Sequence, residues 1–384
     1  LLPVMNNLRF ALRQLAKSPG FTFTAIATLA LGIGTCTAMF SIVNTVLLRP
    51  LPFHEPDRLV WIENVYGGGL SGRTSRSDVV NGWREHNHSF AALGAWFAFS
   101  DYGRLTLSGT GTPERLRNVA VSDDFLPTLG VTPLHGRIFT TEECKWQGPG
   151  AVILSYSCWQ RRFAGDPSVI GRVLTLNHTP TTIVGVMPRT FDFDAIFTPG
   201  NEVDVITPFP LTPETAKWGN TVFGIGRLKP GVTIEQAQAE LTLISNQLHA
   251  SLGRFKGDNF GAIASPLDTA LRGRFRGAFL ILAAAVICVL AIACVNLSNL
   301  LLARVNARRQ EFAVRIALGA RQRHLVQQAL TESLLLAFAG SLFGVPLAVW
   351  ATDALARLQT FGVPLLQDAA VDPLALGVTI GLTT

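Results

Sequence analysis

The chain has 384 residues, of which 48% are hydrophobic and 15% are charged, and its formal net charge is +6. Soluble globular chains carry about 25% charged residues, so this composition argues against a wholly soluble protein and favours membrane-spanning segments. The basic excess is confined to residues 1–20 and 304–330, which carry +3 and +5. Because both segments adjoin long apolar runs, they are interpreted as cytoplasmic flanks of spans and not as a nucleic-acid surface.

Residues 1–20 are predicted to form a cytoplasmic amphipathic helix that lies on the inner membrane surface. Two sets of side chains recur there at helical spacing, with Leu8, Leu12 and Leu15 on one face and Arg9, Arg13 and Lys17 on another. The alternative is that this segment simply extends the first span.

Three runs contain no charged residue, namely 21–48, 277–303 and 333–352, with 28, 27 and 20 residues. Because about 20 apolar residues cross a bilayer, each run predicts a transmembrane helix. A fourth run, 374–384, is interpreted as the truncated start of a fourth transmembrane helix. The length of the first run favours a retained span over a cleaved signal peptide.

The arginine distribution predicts the orientation, because cytoplasmic loops are enriched in basic residues. The N-terminus and residues 304–332 are placed inside, and residues 49–276 and 353–373 are placed outside. This order alternates correctly at every span. Arg272, Arg274 and Arg276 flank the second span on the outer side, an exception that long translocated domains allow.

Residues 49–276 are predicted to fold as an α+β domain that is large enough to bury a core and to divide into two lobes. The strand-like stretches are Leu59–Asn64, Ala151–Leu154, Val173–Leu176 and Thr181–Val186, with a turn over residues 177–180. Residues Ile234–Leu252 predict a helix, with Thr233 and Gln236 as its capping box. The predicted fold class is therefore an α-helical membrane protein, one span and then three, with a large α+β extracytoplasmic domain between spans one and two.

Little in the sequence points to catalysis. The dipeptide Gly-Lys occurs nowhere, so these residues contain no Walker phosphate cradle, and the chain is predicted not to hydrolyse ATP. His86 and His88 have no further ligand nearby and are interpreted as a surface pair, so no metal, cofactor or catalytic residue is predicted. Cys144 and Cys158 form either a disulfide or two free thiols, and their spacing does not decide between these alternatives.

Two kinds of residue in the spans predict helix packing. Asn296 and Asn299 are expected to face the bundle interior and to bond across helices, with a substrate-lining role as the alternative. Gly340 and Gly344 are four residues apart, a spacing that permits the close approach of a second helix.

The cytoplasmic segment 304–332 predicts a hairpin made of a short amphipathic helix, a break at Gly319 and a second helix that leads into the third span. Phe312 and Ile316 form an apolar ridge on the first helix, next to Glu311 and several arginines. This pattern fits docking into a groove of another protein, and it equally fits a helix that lies on anionic headgroups.

Residues Arg308–Arg321 resemble the cytoplasmic signature of MacB/FtsX/LolC-type ABC transporter permeases. The middle of the chain resembles the MacB-like periplasmic core domain at four places: Val152–Tyr156, Trp159–Phe163, Gly165–Pro167 and Val184–Pro188. The order of spans also matches the family, and the chain is most similar to its duplicated orphan permeases.

The resemblance implies mechanotransmission, in which a separate ATPase moves the spans and the periplasmic domain of a permease in the bacterial inner membrane. It assigns ATPase docking to Glu311, Ala313, Arg315, Leu318, Gly319 and Ala320. Phe312 of the apolar ridge is predicted to belong to the same docking set. It also implies a second permease unit, as a homo- or pseudo-dimer, a periplasmic adaptor, and the export or extraction of a drug, peptide or lipoprotein. A membrane-anchored sensor or scaffold without an ATP cycle is the alternative from a different class.

Overall fold

The computed structural model describes residues 11–64, 70–99, 104–109, 113–198, 202–252, 262–307, 322–357 and 377. The chain divides into two compact units. One comprises Leu1–Arg49 with Arg274–Thr384, and the other comprises Pro50–Gly273. Within the described residues the first unit is helical and the second is built on a mixed β-sheet.

Among its described residues, the helical unit contains three long helices. They are α2 (Pro19–Val43, continued by a π-helical turn over Asn44–Leu48), α10 (Leu267–Ala307, which begins in the other unit) and α11 (Gln322–Arg357). Three stretches of them are long and apolar enough to cross a membrane, namely Pro19–Leu48, Arg276–Arg304 and Leu330–Leu355. The runs predicted from the sequence agree with these stretches to within three residues at each end. The fourth predicted span and the loop before it lie outside the described residues, except for Gly377.

A short helix, α1 (residues 11–16), precedes α2 and ends at Lys17 and Ser18. Pro19 starts α2, where the lack of an N–H costs no hydrogen bond because the first residues of a helix have no acceptor within it. The Thr22 hydroxyl donates to the carbonyl oxygens of Leu15 and Ser18 and so bridges the break. The interruption separates α1 from the first span. Leu15 is buried and Leu12 is exposed, so the expected apolar face is only partly covered by this chain.

The second unit, named the outer unit after its predicted location, holds an eleven-stranded sheet in the order β11-β1-β10-β2-β4-β3-β7-β8-β6-β9, with β5 beside β8. The strands are β1 Leu59–Asn64, β2 Phe90–Phe97, β3 Arg104–Ser108, β4 Glu114–Val121, β5 His135–Gly136, β6 Ala151–Leu154, β7 Val173–Leu176, β8 Thr179–Val186, β9 Val205–Pro208, β10 Val222–Leu228 and β11 Ala262–Pro266. Most neighbours are antiparallel, whereas β4–β9 and β6–β8 are parallel.

Seven α-helices accompany this sheet in the part of the unit that the structure describes: α3 Leu70–Arg73, α4 Ser77–His86, α5 Phe125–Leu129, α6 Tyr156–Phe163, α7 Phe193–Phe197, α8 Pro213–Ala216 and α9 Ile234–Leu252. The bounds of α9 are those predicted, and its capping box is present. The backbone N–H of Gln236 donates to Thr233 Oγ1 at 3.3 Å, and the backbone N–H of Thr233 donates to Gln236 Oε1 at 3.0 Å.

The predicted hairpin turn is shorter than expected. Only Asn177 and His178 form it, both with positive φ (47° and 68°), as a tight two-residue hairpin requires. Thr179 and Pro180 already belong to β8, and Pro180 pairs with Thr175 of β7.

Two hydrophobic core clusters lie in the outer unit, whose division into two lobes stays a prediction. The first lies between strands β1, β2 and β10 and helices α4 and α9, where the Trp83 indole donates to the Ser245 hydroxyl at 2.9 Å. The second lies between β7, β8 and helix α6. Aromatic side chains cover the other face of the first group of strands. Trp61 and Trp96 both contact Phe197 of α7 and Phe223, and Trp96 also contacts Phe193.

Cys144 and Cys158 are free thiols, which decides between the two alternatives. Burial raises the pKa of each to about 12. His88 lies 3.1 Å from Glu240, and His86 bonds to the Gly82 carbonyl oxygen of its own helix. Among the residues that the structure describes, no cluster of His, Cys, Asp and Glu could hold a metal ion.

Candidate coupling site and its helical frame

The predicted docking residues lie outside the described residues, within the segment 308–321. These residues are Glu311, Phe312, Ala313, Arg315, Leu318, Gly319 and Ala320. Their docking role therefore stays a prediction. The structure does describe the helices that enter and leave the segment, because α10 ends at Ala307 and α11 begins at Gln322.

Arg304, near the end of α10, contacts three other helices at once. Its Nη1 lies 3.7 Å from the Glu332 carboxylate of α11, and its Nη2 donates to the Gln14 carbonyl oxygen of α1 at 3.1 Å. Its guanidinium carbon stands 4.5 Å from the centroid of the Phe21 ring of α2. The Arg304 and Glu332 side chains are each only 12% exposed. The sequence identified Arg304 only as part of a basic flank, and it gave Glu332 no role.

An apolar cluster adjoins this contact. Leu15 of α1, Ala25 of α2 and Leu336 of α11 are buried in it, and Phe21 packs against it. Water is largely excluded from such a setting, so the attraction between opposite charges is stronger there than at an exposed surface. Helices α1, α2 and α11 thus meet in one packed region beside Arg304, near the end of α10.

The two glycines predicted from the sequence lie at the contact between α11 and α2. A Cβ atom on Gly340 would stand 2.6 Å from Leu29 Cβ. The matching positions on α2 were missed. A Cβ on Gly34 would stand 2.9 Å from Leu347 Cδ2, and Ala30 is buried four residues earlier. The signal was the same four-residue spacing of small residues on α2.

Asn296 and Asn299 differ from the expectation that they face the bundle interior, since both are exposed on α10. The side of α10 that meets α2 carries leucines: Leu297 packs into the apolar cluster, and Leu290 lies opposite Gly32. Leu290 and Leu297 are seven residues apart and share a helix face, and the asparagines lie off that face. Their packing role stays a prediction.

Two family descriptions match the chain. Residues 22–244 match the MacB-like periplasmic core domain, and residues 283–383 match the FtsX-like permease C-terminal domain. A "Probable export ATP-binding/permease protein MacB" of Pseudomonas entomophila is 23% identical over 248 residues, which are 62% of this chain and 36% of that protein. A "Macrolide export ATP-binding/permease protein MacB" of Chromobacterium violaceum is 27% identical over 232 residues, 60% and 34% of the two chains.

The chain thus spans about a third of the length of these curated relatives. Among solved structures, the periplasmic region of MacB from Actinobacillus actinomycetemcomitans has a TM-score of 0.42 at 14% identity and covers 59% of this chain and 95% of that one. Since the periplasmic core domain matches more than half of the residues and the permease domain follows it, the chain belongs to the MacB/FtsX-type ABC transporter permease family.

Proposed function

We propose that this chain is the permease subunit of an ABC transporter and transmits ATP-driven motion from a separate ATPase to its outer domain. One observation supports the proposed transmission of motion. Helix α10 follows β11 without a linker at Leu267 and runs unbroken to Ala307, immediately before the docking segment. An α-helix rises 1.5 Å per residue, so its 41 residues extend about 60 Å, twice the thickness of the hydrocarbon core. In the chain, a single helix therefore joins the end of β11 to the start of the docking segment.

The orientation that goes with this function places the N-terminus and residues 304–332 in the cytoplasm of a bacterium and the outer unit in the periplasm. The basic flanks of the first and second spans support it. The membrane is the inner membrane, and ATP hydrolysis takes place on the partner and not on this chain.

The proposed partners are a separate ABC ATPase, the lipid bilayer, a second permease unit as a homo- or pseudo-dimer, and a periplasmic adaptor. The substrate class is a drug, a peptide or a lipoprotein that is exported or extracted. Relatives named for macrolide export and for probable syringafactin export support export as the activity.

The first test is topological. Phe312→Cys and Thr179→Cys are made separately in a cysteine-free background and treated with a membrane-impermeant maleimide in sealed, right-side-out vesicles. Thr179 is exposed in the outer unit, so that variant should be labelled at once. The Phe312→Cys variant should react only after permeabilisation, and labelling in sealed vesicles contradicts the proposal.

The second test detects the proposed ATPase partner. The tagged chain is purified from its own cells, and vanadate-sensitive ATPase activity is measured in the eluate. Arg315→Ala and Gly319→Pro should remove this activity, whereas Arg276→Ala, which removes an exposed arginine of α10, should keep it. Equal activity in all variants contradicts docking on this segment. No activity in the unaltered protein favours the sensor or scaffold.

A further inference from the structure

We propose that Arg304 is a positioning residue that clamps α1 and α2 to the two helices that enter and leave the docking segment, so that the N-terminal helix moves with the coupling element. The mechanical consequence rests on the proposed function. The clamp itself is a property of this chain and can be tested without a partner.

The clamp combines three kinds of attraction on one side chain. The guanidinium faces the Glu332 carboxylate, lies over the Phe21 ring, and donates a hydrogen bond to the Gln14 carbonyl oxygen. A planar guanidinium has several donors and a flat face, so it can make all three contacts together. A lysine ammonium is a compact charge that can keep the ion pair but cannot reproduce the whole set.

The bond to Gln14 gives the clamp its hold on α1. Gln14 lies in the last turn of α1, and its carbonyl oxygen accepts from the Ser18 hydroxyl at 3.4 Å as well as from Arg304. A cation at a helix C-terminus is also favoured by the helix dipole.

The ion pair gives the clamp its hold on the docking segment. Arg304 lies three residues before the end of α10, and Glu332 lies ten residues after the start of α11. The pair therefore closes the base of residues 305–331, which contain all the predicted docking residues. Both side chains are largely buried, so removal of one would take an opposite charge away from the other in a setting where that loss is costly. A force on the docking segment then acts on α10, α11 and α1 together.

Hydrogen–deuterium exchange of the full chain in nanodiscs of phosphatidylethanolamine and phosphatidylglycerol tests the clamp. Amides of residues 13–18 should exchange about tenfold faster in Arg304→Met, which loses a charged hydrogen bond and a cation–π contact. Arg304→Lys should be intermediate. Phe21→Leu should accelerate exchange at residues 13–18, whereas Phe21→Trp, which keeps an aromatic face, should exchange at the rate of the unaltered protein. The matched control is Arg276→Met, which removes an exposed arginine at the other end of the same helix.

Unchanged exchange at residues 13–18 in both Arg304→Met and Phe21→Leu would overturn the clamp. If Arg304→Met does not fold, Arg304→Lys and the two Phe21 variants still decide, because restoration by Phe21→Trp is not expected from a general loosening. The copurified ATPase activity separates the two proposals. If exchange changes as expected but no ATPase copurifies, the clamp is supported and the proposed function is contradicted. If ATPase activity copurifies but exchange is unaltered in the variants, the proposed function is supported and the clamp is contradicted.

Discussion

Gly344 of α11 lies directly against the backbone of α2, since a Cβ atom on Gly344 would stand 3.0 Å from the carbonyl oxygen of Ala30. Without a hydrophobic driving force between helices in lipid, close packing of backbones supplies much of their attraction. This contact therefore sets how near the first and third apolar stretches approach each other.

Gly344→Val should push α11 away from α2 and cost about 1–3 kcal/mol, because the added methyl groups meet the backbone at Ala30 and the side chain at Ile33. The measurement is the thermal unfolding midpoint of the purified chain in detergent. Gly277→Val is the matched control, since no described atom lies within 4 Å of a Cβ at Gly277. Equal midpoints for the two variants would show that the contact does not limit stability.

In the outer unit, Ser245→Ala should cost about 1–3 kcal/mol, because it leaves the buried Trp83 indole N–H without its acceptor. Trp83→Phe removes the donor, and the double variant should lose less than the sum of the two single variants. Chemical unfolding followed by tryptophan fluorescence measures these differences. Ser157→Ala removes an exposed hydroxyl and should stay within about 0.5 kcal/mol of the unaltered protein. Strict additivity would argue against the bond between α4 and α9.

Cys144 and Cys158 should resist alkylation by maleimide at neutral pH in the folded protein. The thiolate is the reactive form, and burial raises the pKa of both thiols to about 12. Mass spectrometry of tryptic peptides before and after unfolding measures the labelled fraction. Thr179→Cys supplies an exposed thiol for comparison. Rapid labelling of the two native thiols, or a disulfide-linked peptide pair, would contradict the structure.

The features predicted well from the sequence are those that depend on local patterns. Uncharged runs give the three apolar stretches, and β-branched runs give strands such as Ala151–Leu154. Helix α9 was predicted with its bounds because Thr233 and Gln236 mark its start and a helical repeat follows.

The features that were missed depend on residues distant in the chain. The parallel pairing of β4 with β9 joins Asn118 to Val205, which no local pattern indicates. Likewise Arg304 and Glu332 are separated by the whole docking segment, so only tertiary packing brings them together. Pro180 shows a local rule overridden, because a proline expected in the turn instead pairs within the sheet.

Asp194 should make the outer unit less stable as pH rises. Burial first, and then the neighbouring Asp192 carboxyl, raise the pKa of Asp194 to about 8. The native state therefore holds a proton that the unfolded chain releases near pH 4, so the free energy of unfolding falls between about pH 4 and pH 8 and is unaffected below that range. Trp96 lies 5.4 Å from Phe193, next to this carboxyl in the chain, so its fluorescence can follow unfolding.

Asp194→Asn keeps a donor toward Asp192 but cannot ionise. The free energy of unfolding of this variant should therefore fall less steeply with pH, and its unfolding midpoint at pH 8 should be higher than that of the unaltered protein. At pH 4 the two proteins should unfold alike, since Asp194 is protonated there in the folded state. Asp57→Asn removes a carboxylate from an exposed position and should leave the decline in place. A decline of equal slope in Asp194→Asn would show that another group causes it, because the only proton removed from the titration is the one at Asp194.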